Sequence, residues 1–294
     1  MTEESPALPK PPWLRRPALN PEVRSRMVAL LSGLSLHTVC QEADCPNIGE
    51  CFRSGTATFL ILGRVCTRNC RFCAVEHGTP SAVDPEEPQR VSDAALRLGL
   101  RHVVITSVTR DDLPDGGASQ FADSVEAIRR QSRATVELLV PDMAGDHGAL
   151  LTVVESAPEV LGHNVEVVPR LYPQFRSGAD YGRSLALLAR VKRLAPGMRT
   201  KSSLMVGVGE TEEEVCATLR DLRAAECDLL TIGQYLRPSL HHAPVAEYVA
   251  PGVFDRYAAL ARELGFGGVL SGPFVRSSYC AASLLQGLPG SDSR

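Results

Sequence analysis

Three cysteines stand close together in the segment GRVCTRNCRFCAV, residues 63–75. They are Cys66, Cys70 and Cys73, and their spacing is Cys-x3-Cys-x2-Cys. A tetrahedral zinc site normally has four protein ligands, and paired Cys-x2-Cys turns are its usual signature. This segment supplies three thiols, and no fourth ligand nearby completes that pattern. Thiolates also hold iron–sulfur clusters, and three of them leave one iron of a [4Fe–4S] cluster open to a small molecule.

A second set of three cysteines lies upstream, in CQEADCPNIGEC at residues 40–51. Cys40, Cys45 and Cys51 follow the spacing Cys-x4-Cys-x5-Cys, again without a fourth thiol. The two sets together hold six of the nine cysteines in the chain. A chain of 294 residues is long enough to bury a core without disulfide staples. We therefore interpret the crowding as metal binding, with a chance cluster of buried thiols as the alternative.

The composition is that of an ordinary globular protein, with 44% hydrophobic and 22% charged residues. The formal net charge of −3 gives no indication of nucleic-acid binding. No apolar run approaches the roughly 20 residues of a membrane helix, so no membrane association is expected. The first 20 residues are polar, acidic and proline-rich, without the apolar stretch of a signal peptide. A cytoplasmic location is expected, and a processed organelle protein is the alternative.

From about residue 57 the chain alternates between strand and helix patterns, which predicts a parallel sheet with right-handed crossovers. The apolar segments predict strands at 56–63, 102–108, 134–140, within 156–166, at 200–208 and at 227–236. Six strands, or seven on an alternative count, fall short of a full eight-stranded barrel. We therefore expect an α/β fold, a partial (β/α)6 barrel. The loop of Cys66 to Cys73 directly follows the first strand, at the end where such barrels carry their active sites.

Helices are predicted where apolar residues recur at three- and four-residue intervals. Such spacing covers Phe121 to Ile128, Leu187 to Leu194 and Val215 to Leu222, and a final helix is expected at 252–264. Thr211 and Glu214 form a predicted capping box. A short helix is expected near 21–32. The expected domains are an N-terminal extension at 1–55, a barrel at 56–275 and a tail at 276–294 that closes over the barrel.

Cys-x3-Cys-x2-Cys after the first strand of a β/α barrel resembles the radical S-adenosylmethionine (SAM) superfamily. Phe72, just before Cys73, matches the aromatic residue common at that position in the superfamily. The resemblance implies that the open iron chelates SAM. It also implies that a reduced cluster cleaves SAM to methionine and a 5′-deoxyadenosyl radical, which abstracts hydrogen from unactivated carbon.

The two cysteine sets together resemble the lipoyl synthase family specifically. Five further blocks match it in order and spacing: TSVTRDDLPDGG (106–117), GHNVEVVPRLYPQFRSGADY (162–181), LMVGVGETEEEV (204–215), GQYLRPS (233–239) and GPFVRSSY (272–279). The resemblance implies insertion of two sulfur atoms at C6 and C8 of a protein-bound octanoyl-lysine. A second [4Fe–4S] cluster, held by Cys40, Cys45 and Cys51 and called the auxiliary cluster, is the implied sulfur source. The implied partners are octanoylated lipoyl domains, namely E2 subunits of 2-oxoacid dehydrogenases and the glycine cleavage H protein. An electron donor such as flavodoxin or ferredoxin is also implied.

In the radical SAM superfamily an acidic, glycine-rich segment after the second strand contacts the SAM amino group, so the resemblance implies this role for Asp115, Gly116 and Gly117. Asn164 and Glu166, which end the fourth predicted strand, are further candidates for contact with the SAM ribose or carboxylate. The alternative for the first three is an ordinary turn, and for the last two a pair that only satisfies backbone groups. Lys201 and Arg170 are candidate carboxylate binders. For the tail motif RSSY, the family resemblance implies that a serine supplies the fourth ligand of the auxiliary cluster. Ser278 is the preferred residue and Ser277 the alternative.

Three other functions fit parts of the pattern. A different radical SAM enzyme with an auxiliary cluster, such as a methylthiotransferase, would normally carry additional domains for which this chain has no room. A two-cluster electron carrier would need closed coordination and no SAM cleavage. A zinc-structured binding protein is the third alternative. Iron, acid-labile sulfide and zinc analysis of anaerobically prepared protein distinguishes them.

Overall fold

A computed structural model describes residues 8–15, 25, 33–34, 36–42, 45, 47, 50–51 and 58–286. The side chains of Cys40 and Gln286 are outside this description, although both residues lie in helices. Apart from Ser25, the helix expected at 21–32 also lies outside the described residues, as do residues 287–294 of the tail.

The centre of the fold is one eight-stranded sheet in which the strands follow one another in chain order. The strands are β1 (His37–Thr38), β2 (Thr58–Ile61), β3 (His102–Ser107), β4 (Thr135–Leu139), β5 (Val160–Gly162), β6 (Arg199–Val206), β7 (Leu229–Gln234) and β8 (Gly268–Gly272). β1 pairs with β2 in antiparallel fashion, and every pair from β2 to β8 is parallel. Among the described residues, β8 does not pair back onto the first strands, so the barrel is open. All six predicted strands are present, and the predicted partial barrel is confirmed.

Helices lie between and after the strands. They are α1 (Val39–Glu42), α2 (Glu87–Arg97), α3 (Ala118–Gln131), α4 (His147–Glu155), α5 (Tyr172–Phe175), α6 (Tyr181–Leu194), α7 (Glu212–Ala224), α8 (Pro251–Glu263) and α9 (Ala281–Gln286). Those from α2 to α8 connect the parallel strands. The predicted capping box begins α7: Glu214 N lies 3.3 Å from Thr211 Oγ1, and Thr211 N lies 2.8 Å from Glu214 Oε2. Because the cap satisfies backbone amides that have no partner within the helix, it fixes where α7 begins.

The core has two large layers between the sheet and the surrounding helices. In one layer, Phe59 and Ile105 of the sheet pack with Phe121 and Ile128 of α3. In the other, residues of β6 and β7 pack with α7 and α8. Each fully buried side chain of this size contributes about 1.5–3 kcal/mol relative to an exposed one. This packing fixes the carboxyl ends of the strands, from which the functional loops extend.

A smaller apolar cluster joins the tail to the sheet. Leu284 of α9 packs with Val160 of β5 and Leu229 of β7. The residues after β8 are thus anchored by apolar burial as well as by the polar contacts described below. None of the helices described here combines the length and hydropathy needed to cross a membrane.

Candidate metal centre

The loop that carries Cys66, Cys70 and Cys73 leaves the sheet directly after β2. Leu62 and Gly63 both have left-handed backbone conformations, with φ of +67° and +86°, and turn the chain out of the strand. The loop then folds back on itself, because Cys66 N donates to Glu76 O at 2.8 Å and Gly78 N donates to Cys66 O at 3.0 Å. Three sulfurs separated by up to seven positions are thereby held in one compact turn.

Loops that follow two other strands bind the backbone of this turn. Thr67 N donates to Thr109 O, in the loop after β3, at 3.0 Å. Arg71 N donates to Phe175 O, at the end of α5, also at 3.0 Å. Since parallel strands end at the same edge of a sheet, these contacts place the cysteine loop over the carboxyl ends of the strands, as predicted.

The segment after β7 closes the other side of the loop. Ala243 N donates to Arg71 O at 2.8 Å. The His242 ring Nε2 lies 3.0 Å from Cys73 O, and its Nδ1 lies 2.8 Å from Ser239 Oγ. His242 therefore orients the backbone of a cysteine, a role that the sequence did not reveal because 169 positions separate the two residues.

The sulfur of Cys66 accepts two backbone N–H groups. Arg68 N lies 3.4 Å and Thr109 N lies 3.3 Å from Cys66 Sγ. Hydrogen bonds of this kind stabilise negative charge on sulfur and tune iron–sulfur clusters. The described residues contain no group of three His, Cys, Asp or Glu side chains arranged to hold a single metal ion. The fit to a cluster thus rests on the three-sulfur donor set and its N–H contacts.

Burial opposes ionisation of the other two thiols. It raises the pKa of Cys70 to about 11, against the opposing charge of Arg176, and the pKa of Cys73 to about 12. Thiols must lose their protons to bind metal, so assembly of a cluster on these three cysteines would release protons.

Asn164 and Glu166 come together at the end of β5. Asn164 Nδ2 donates to Glu166 Oε1 at 2.9 Å, and Ser277 Oγ of the tail donates to Asn164 Oδ1 at 3.0 Å. Arg176 Nη1 donates to the backbone oxygen of Asn164 at 2.9 Å. The predicted strand-end pair therefore exists and forms one network with the tail.

Glu166 has an unusual backbone conformation, with φ of +64°. Its N donates to Ser203 O, and its O accepts from Met205 N, so β6 holds this conformation in place. Burial raises the pKa of the Glu166 carboxyl, and the charge of Arg176 only partly offsets this. A left-handed residue other than glycine costs on the order of 1–3 kcal/mol and is often found at functional sites.

Arg176 is a functional candidate that sequence reasoning missed. Its guanidinium lies 5.2 Å from the centre of the Tyr172 ring, and its charge acts on both Cys70 and Glu166. It thus faces the cysteine loop and the candidate SAM-binding pair together. The available signal was its position in the block at 162–181, which matches the family.

The Asp115–Gly117 segment forms the start of α3. The Asp115 carboxylate accepts from Gly117 N at 2.9 Å and from Ser119 N at 2.8 Å, so it caps the helix. Gly116 and Gly117 have φ of +60° and +91°, and a Cβ on Gly117 would lie 2.2 Å from Leu62 Cδ1. Residues 115–117 therefore form a turn at the start of α3, which is the alternative considered above. Helix capping explains the aspartate, and close packing explains Gly117.

Two cysteines of the upstream set, Cys45 and Cys51, are partly buried. Between them, Asn47 Nδ2 donates to Phe274 O, two positions before the tail, at 2.7 Å. Next to Cys51, Glu50 Oε1 accepts from Tyr279 OH of the tail at 3.1 Å. Phe274 and the tail therefore contact the segment of the upstream cysteines at two points.

The same tail passes over the end of β7. A Cβ on Gly233 would lie 2.0 Å from Val275 O, so the tail backbone occupies the space where a side chain would be. Ser277 then reaches Asn164, whereas the half-buried Ser278 has no hydrogen-bond partner among the described residues. Of the two candidate serines, Ser278 is thus the one whose hydroxyl forms no hydrogen bond within the described part of the chain.

Two candidate carboxylate binders have other partners. Lys201 Nζ lies 2.7 Å from Glu137 Oε1, and both side chains are buried inside the barrel. Arg170 pairs with Glu214 on the surface at 2.7 Å. The structure thus gives Lys201 and Arg170 structural ion pairs.

Comparisons with known proteins identify relatives. Residues 60–222 match the family model of the radical SAM superfamily. A lipoyl synthase of Caldanaerobacter subterraneus subsp. tengcongensis is 59% identical over 272 residues, which cover 92% of this chain and 95% of that protein. A lipoyl synthase of Geobacter sulfurreducens is 58% identical over 274 residues, with 93% and 90% covered.

Solved structures give a more distant likeness. The crystal structure of methylornithine synthase matches with a TM-score of 0.54 at 16% identity, covering 70% of this chain and 61% of that one. Streptococcus suis SuiB bound to S-adenosylmethionine matches with a TM-score of 0.54 at 11% identity, covering 83% and 57%. At such low identity these likenesses show the fold alone.

Proposed function

Since this chain belongs to the lipoyl synthase family of radical SAM enzymes, we propose that it inserts two sulfur atoms, at C6 and C8, into an octanoyl group carried on a lysine of a lipoyl domain. The superfamily uses a [4Fe–4S] cluster and SAM. In our proposal Cys66, Cys70 and Cys73 hold that cluster. When bound there, it would supply the electron that splits SAM and yields a radical able to abstract hydrogen from the octanoyl chain.

The remaining residues divide between binding SAM and providing sulfur. Asn164 and Glu166 bind polar groups of SAM next to the cysteine loop, and Arg176 orients them. Cys40, Cys45 and Cys51 hold a second [4Fe–4S] cluster, which is the sulfur source, and Ser278 is its fourth ligand. Asp115, Gly116 and Gly117 shape this end of the barrel by fixing the start of α3.

One observation carries this proposal: the tail contacts both sites within three residues. Ser277 binds Asn164 at the end of β5, and Tyr279 binds Glu50 beside Cys51. Two positions along a chain span at most about 7 Å. Sulfur insertion at an unactivated carbon needs the hydrogen abstractor and the sulfur source close together, and over that short distance the tail contacts one residue beside each proposed site.

Partner proteins follow from the proposed substrate. The octanoyl group is presented by lipoyl domains of E2 subunits or by the glycine cleavage H protein, and a flavodoxin or ferredoxin supplies electrons. Closure of the barrel mouth by the tail would exclude water from the radical and limit side reactions.

An anaerobic assay tests the function. The protein is incubated with SAM, a reductant and an octanoyl-lysine peptide, and the peptide is analysed by mass spectrometry. We expect a mass gain that corresponds to two sulfurs replacing two hydrogens, with about eight irons per chain for two clusters. SAM cleavage without sulfur insertion would point to another radical SAM reaction, and stoichiometric zinc without iron would exclude the proposal.

A further inference from the structure

Arg68, which lies between Cys66 and Cys70, has its side chain clamped by two carboxylates. Its Nε and Nη2 lie 2.7 Å from the two carboxylate oxygens of Asp111, and Nη2 also lies 2.7 Å from Oδ1 of Asp142. Only 8% of the Arg68 side chain and 1% of the Asp142 side chain are exposed. A guanidinium suits this arrangement because its planar fork can bind two acceptors at once.

The two carboxylates come from different places at the edge of the sheet. Asp111 lies in the loop after β3, and Asp142 lies in the loop after β4. Asp142 is itself fixed, since its Oδ2 accepts from Arg183 Nε at 2.8 Å and its Oδ1 accepts from Ala144 N at 3.2 Å. Arg68, Asp111 and Asp142 form a cluster that we call the clamp. It links the cysteine loop to the ends of the neighbouring strands β3 and β4, and its buried member Asp142 is fixed by two further hydrogen bonds.

The backbone of the same residue contacts a cysteine sulfur. Arg68 N is one of the two donors to Cys66 Sγ, and Thr109 N, two positions before Asp111, is the other. Thr67 Oγ1 adds a contact between the two loops by accepting from Asp111 N at 3.1 Å. Loss of the Arg68 side chain would thus leave only the contacts of Thr67 to hold together the two backbone segments that supply both N–H groups to this sulfur.

We propose that Arg68 is a positioning residue, which locks the Cys66–Cys73 loop to the ends of β3 and β4 and maintains the two N–H contacts to Cys66 Sγ. This inference rests on the proposed function in so far as the loop holds a cluster. The geometric part, a loop held in place by Arg68, applies equally to the metal-free protein. The two parts can therefore be tested separately.

The first test uses metal-free full-length protein under anaerobic conditions. Pulsed alkylation followed by peptide mass spectrometry measures how fast Cys66, Cys70 and Cys73 react in wild type and in Arg68→Ala. Because the charge-assisted hydrogen bonds that restrain loop opening are lost, we expect these thiols to react about tenfold faster or more in the variant. Equal rates would overturn the inference, whether or not the proposed reaction occurs.

Arg64 offers a matched control on the same loop. It pairs with Glu76 at 3.6 Å, but both side chains are about 60% exposed, at 61% and 59%. An exposed pair of this kind contributes little to stability. We therefore expect Arg64→Ala to leave the alkylation rates unchanged. If Arg64→Ala accelerated alkylation as much as Arg68→Ala, the faster reaction would be explained by the loss of a positive charge on the loop and not by the loss of the clamp.

The second test measures the reduction potential of the cluster bound to this loop, followed by EPR in the reconstituted protein. Hydrogen bonds to a cluster sulfur stabilise the reduced, more negative state, so their loss lowers the potential. We expect Arg68→Ala to retain iron and to show a more negative potential than wild type and Arg64→Ala. An unchanged potential together with faster alkylation would refute the role of the N–H contacts.

Two conservative variants keep the inference testable if Arg68→Ala does not fold. Arg68→Lys retains the charge but cannot bind both carboxylates as a fork, so intermediate alkylation rates are expected. Asp111→Asn weakens one side of the clamp and leaves Asp142 in place, and it should also give intermediate rates. Wild-type rates in both variants, with thermal unfolding midpoints near that of wild type, would overturn the clamp.

Discussion

The hydroxyl of Ser277 donates to Oδ1 of Asn164 at 3.0 Å, although 113 positions separate the two residues. The side-chain amide of Asn164 donates in turn to Glu166 Oε1 at 2.9 Å, so hydrogen bonds connect Ser277 to Glu166 through Asn164. A residue of the tail motif is thus bonded to the strand-end pair that we assign to SAM. The next residue, Ser278, is the proposed ligand of the auxiliary cluster. If Asn164 and Glu166 bind SAM as proposed, occupancy of that site and the position of the tail would therefore be linked through these hydrogen bonds.

Glu166→Ala should weaken SAM binding without removing iron. The variant loses a buried carboxylate and the partner of Asn164 Nδ2, so we expect about a tenfold or greater rise in the SAM dissociation constant. Anaerobic equilibrium dialysis, with iron analysis of the same samples, measures this. Glu212→Ala, which removes an exposed partner of Arg256, is the control. Unchanged SAM affinity with intact iron content would assign Glu166 a structural role only.

Substitutions in the two cysteine sets should affect SAM cleavage and sulfur insertion differently. Cys70→Ala should abolish SAM cleavage, because the cluster loop loses one of its three sulfurs. Cys45→Ala should still cleave SAM but form no lipoyl product. Chromatography of 5′-deoxyadenosine and mass spectrometry of the peptide measure the two steps. Lipoyl product from the Cys45 variant would contradict the role of the auxiliary cluster.

Ser278→Cys should block sulfur transfer while retaining the auxiliary cluster. An alkoxide is a harder and poorer ligand for cluster iron than a thiolate, so the natural ligand can leave and the substituted one cannot. We expect full iron content, measurable SAM cleavage and little product. Ser277→Cys is the comparison, because Ser277 is already bonded to Asn164. A block by Ser277→Cys and normal turnover by Ser278→Cys would reverse the assignment.

Gly233→Ala should displace the tail from the barrel. The added Cβ would lie 2.0 Å from Val275 O, a backbone atom that cannot move without shifting the tail. Misplacement of the auxiliary site by about 1 Å is expected to reduce lipoyl formation roughly hundredfold, and limited proteolysis should cut the tail faster. Gly197→Ala is the control, since nothing lies within 4 Å of its added Cβ. Wild-type turnover and protease resistance in Gly233→Ala would show that the position of the tail does not depend on its close contact with Gly233.

Glu137→Gln should destabilise the barrel interior. Burial alone would raise the pKa of Glu137, but the charge of Lys201 and the neighbouring His102 lower it overall. The variant leaves the buried Lys201 ammonium without a counter-charge, which costs about 3–5 kcal/mol in free energy of unfolding. Chemical denaturation measures this loss, and Glu212→Gln, which weakens an exposed pair with Arg256, should change stability little.

The pH dependence of stability provides an independent check on Glu137. Because its folded pKa is depressed, its contribution is fully present above the unfolded pKa of about 4.3 and is lost as the pH falls towards the folded value. Wild-type stability should therefore decrease below roughly pH 4, and the decrease should be shallower in Glu137→Gln. Parallel pH profiles for the two proteins would contradict this assignment.

The grouping of three cysteines in one loop was predictable because it depends on local spacing. Cys66, Cys70 and Cys73 lie within one loop, so their grouping follows from the chain itself. The strands and the capping box at Thr211 also follow local rules, namely apolar periodicity and backbone amides that need a cap. The order of these elements then predicts an open parallel barrel with the cysteine loop at its active end.

The partners of individual polar side chains were decided only by the tertiary structure. Lys201 was a candidate carboxylate binder by sequence, but the fold places it against Glu137, because β4 and β6 lie on either side of β5. Arg176 and His242 gained their positions next to the cysteines in the same way, through contacts between segments far apart in the chain. Arg68 lies between two cysteines in the sequence, but its buried partner Asp142 was brought to it by the fold. Spacing along a chain determines which groups are available within one loop or element. Which distant side chains come into contact depends on how the strands and loops pack, and short-range sequence patterns do not specify that packing.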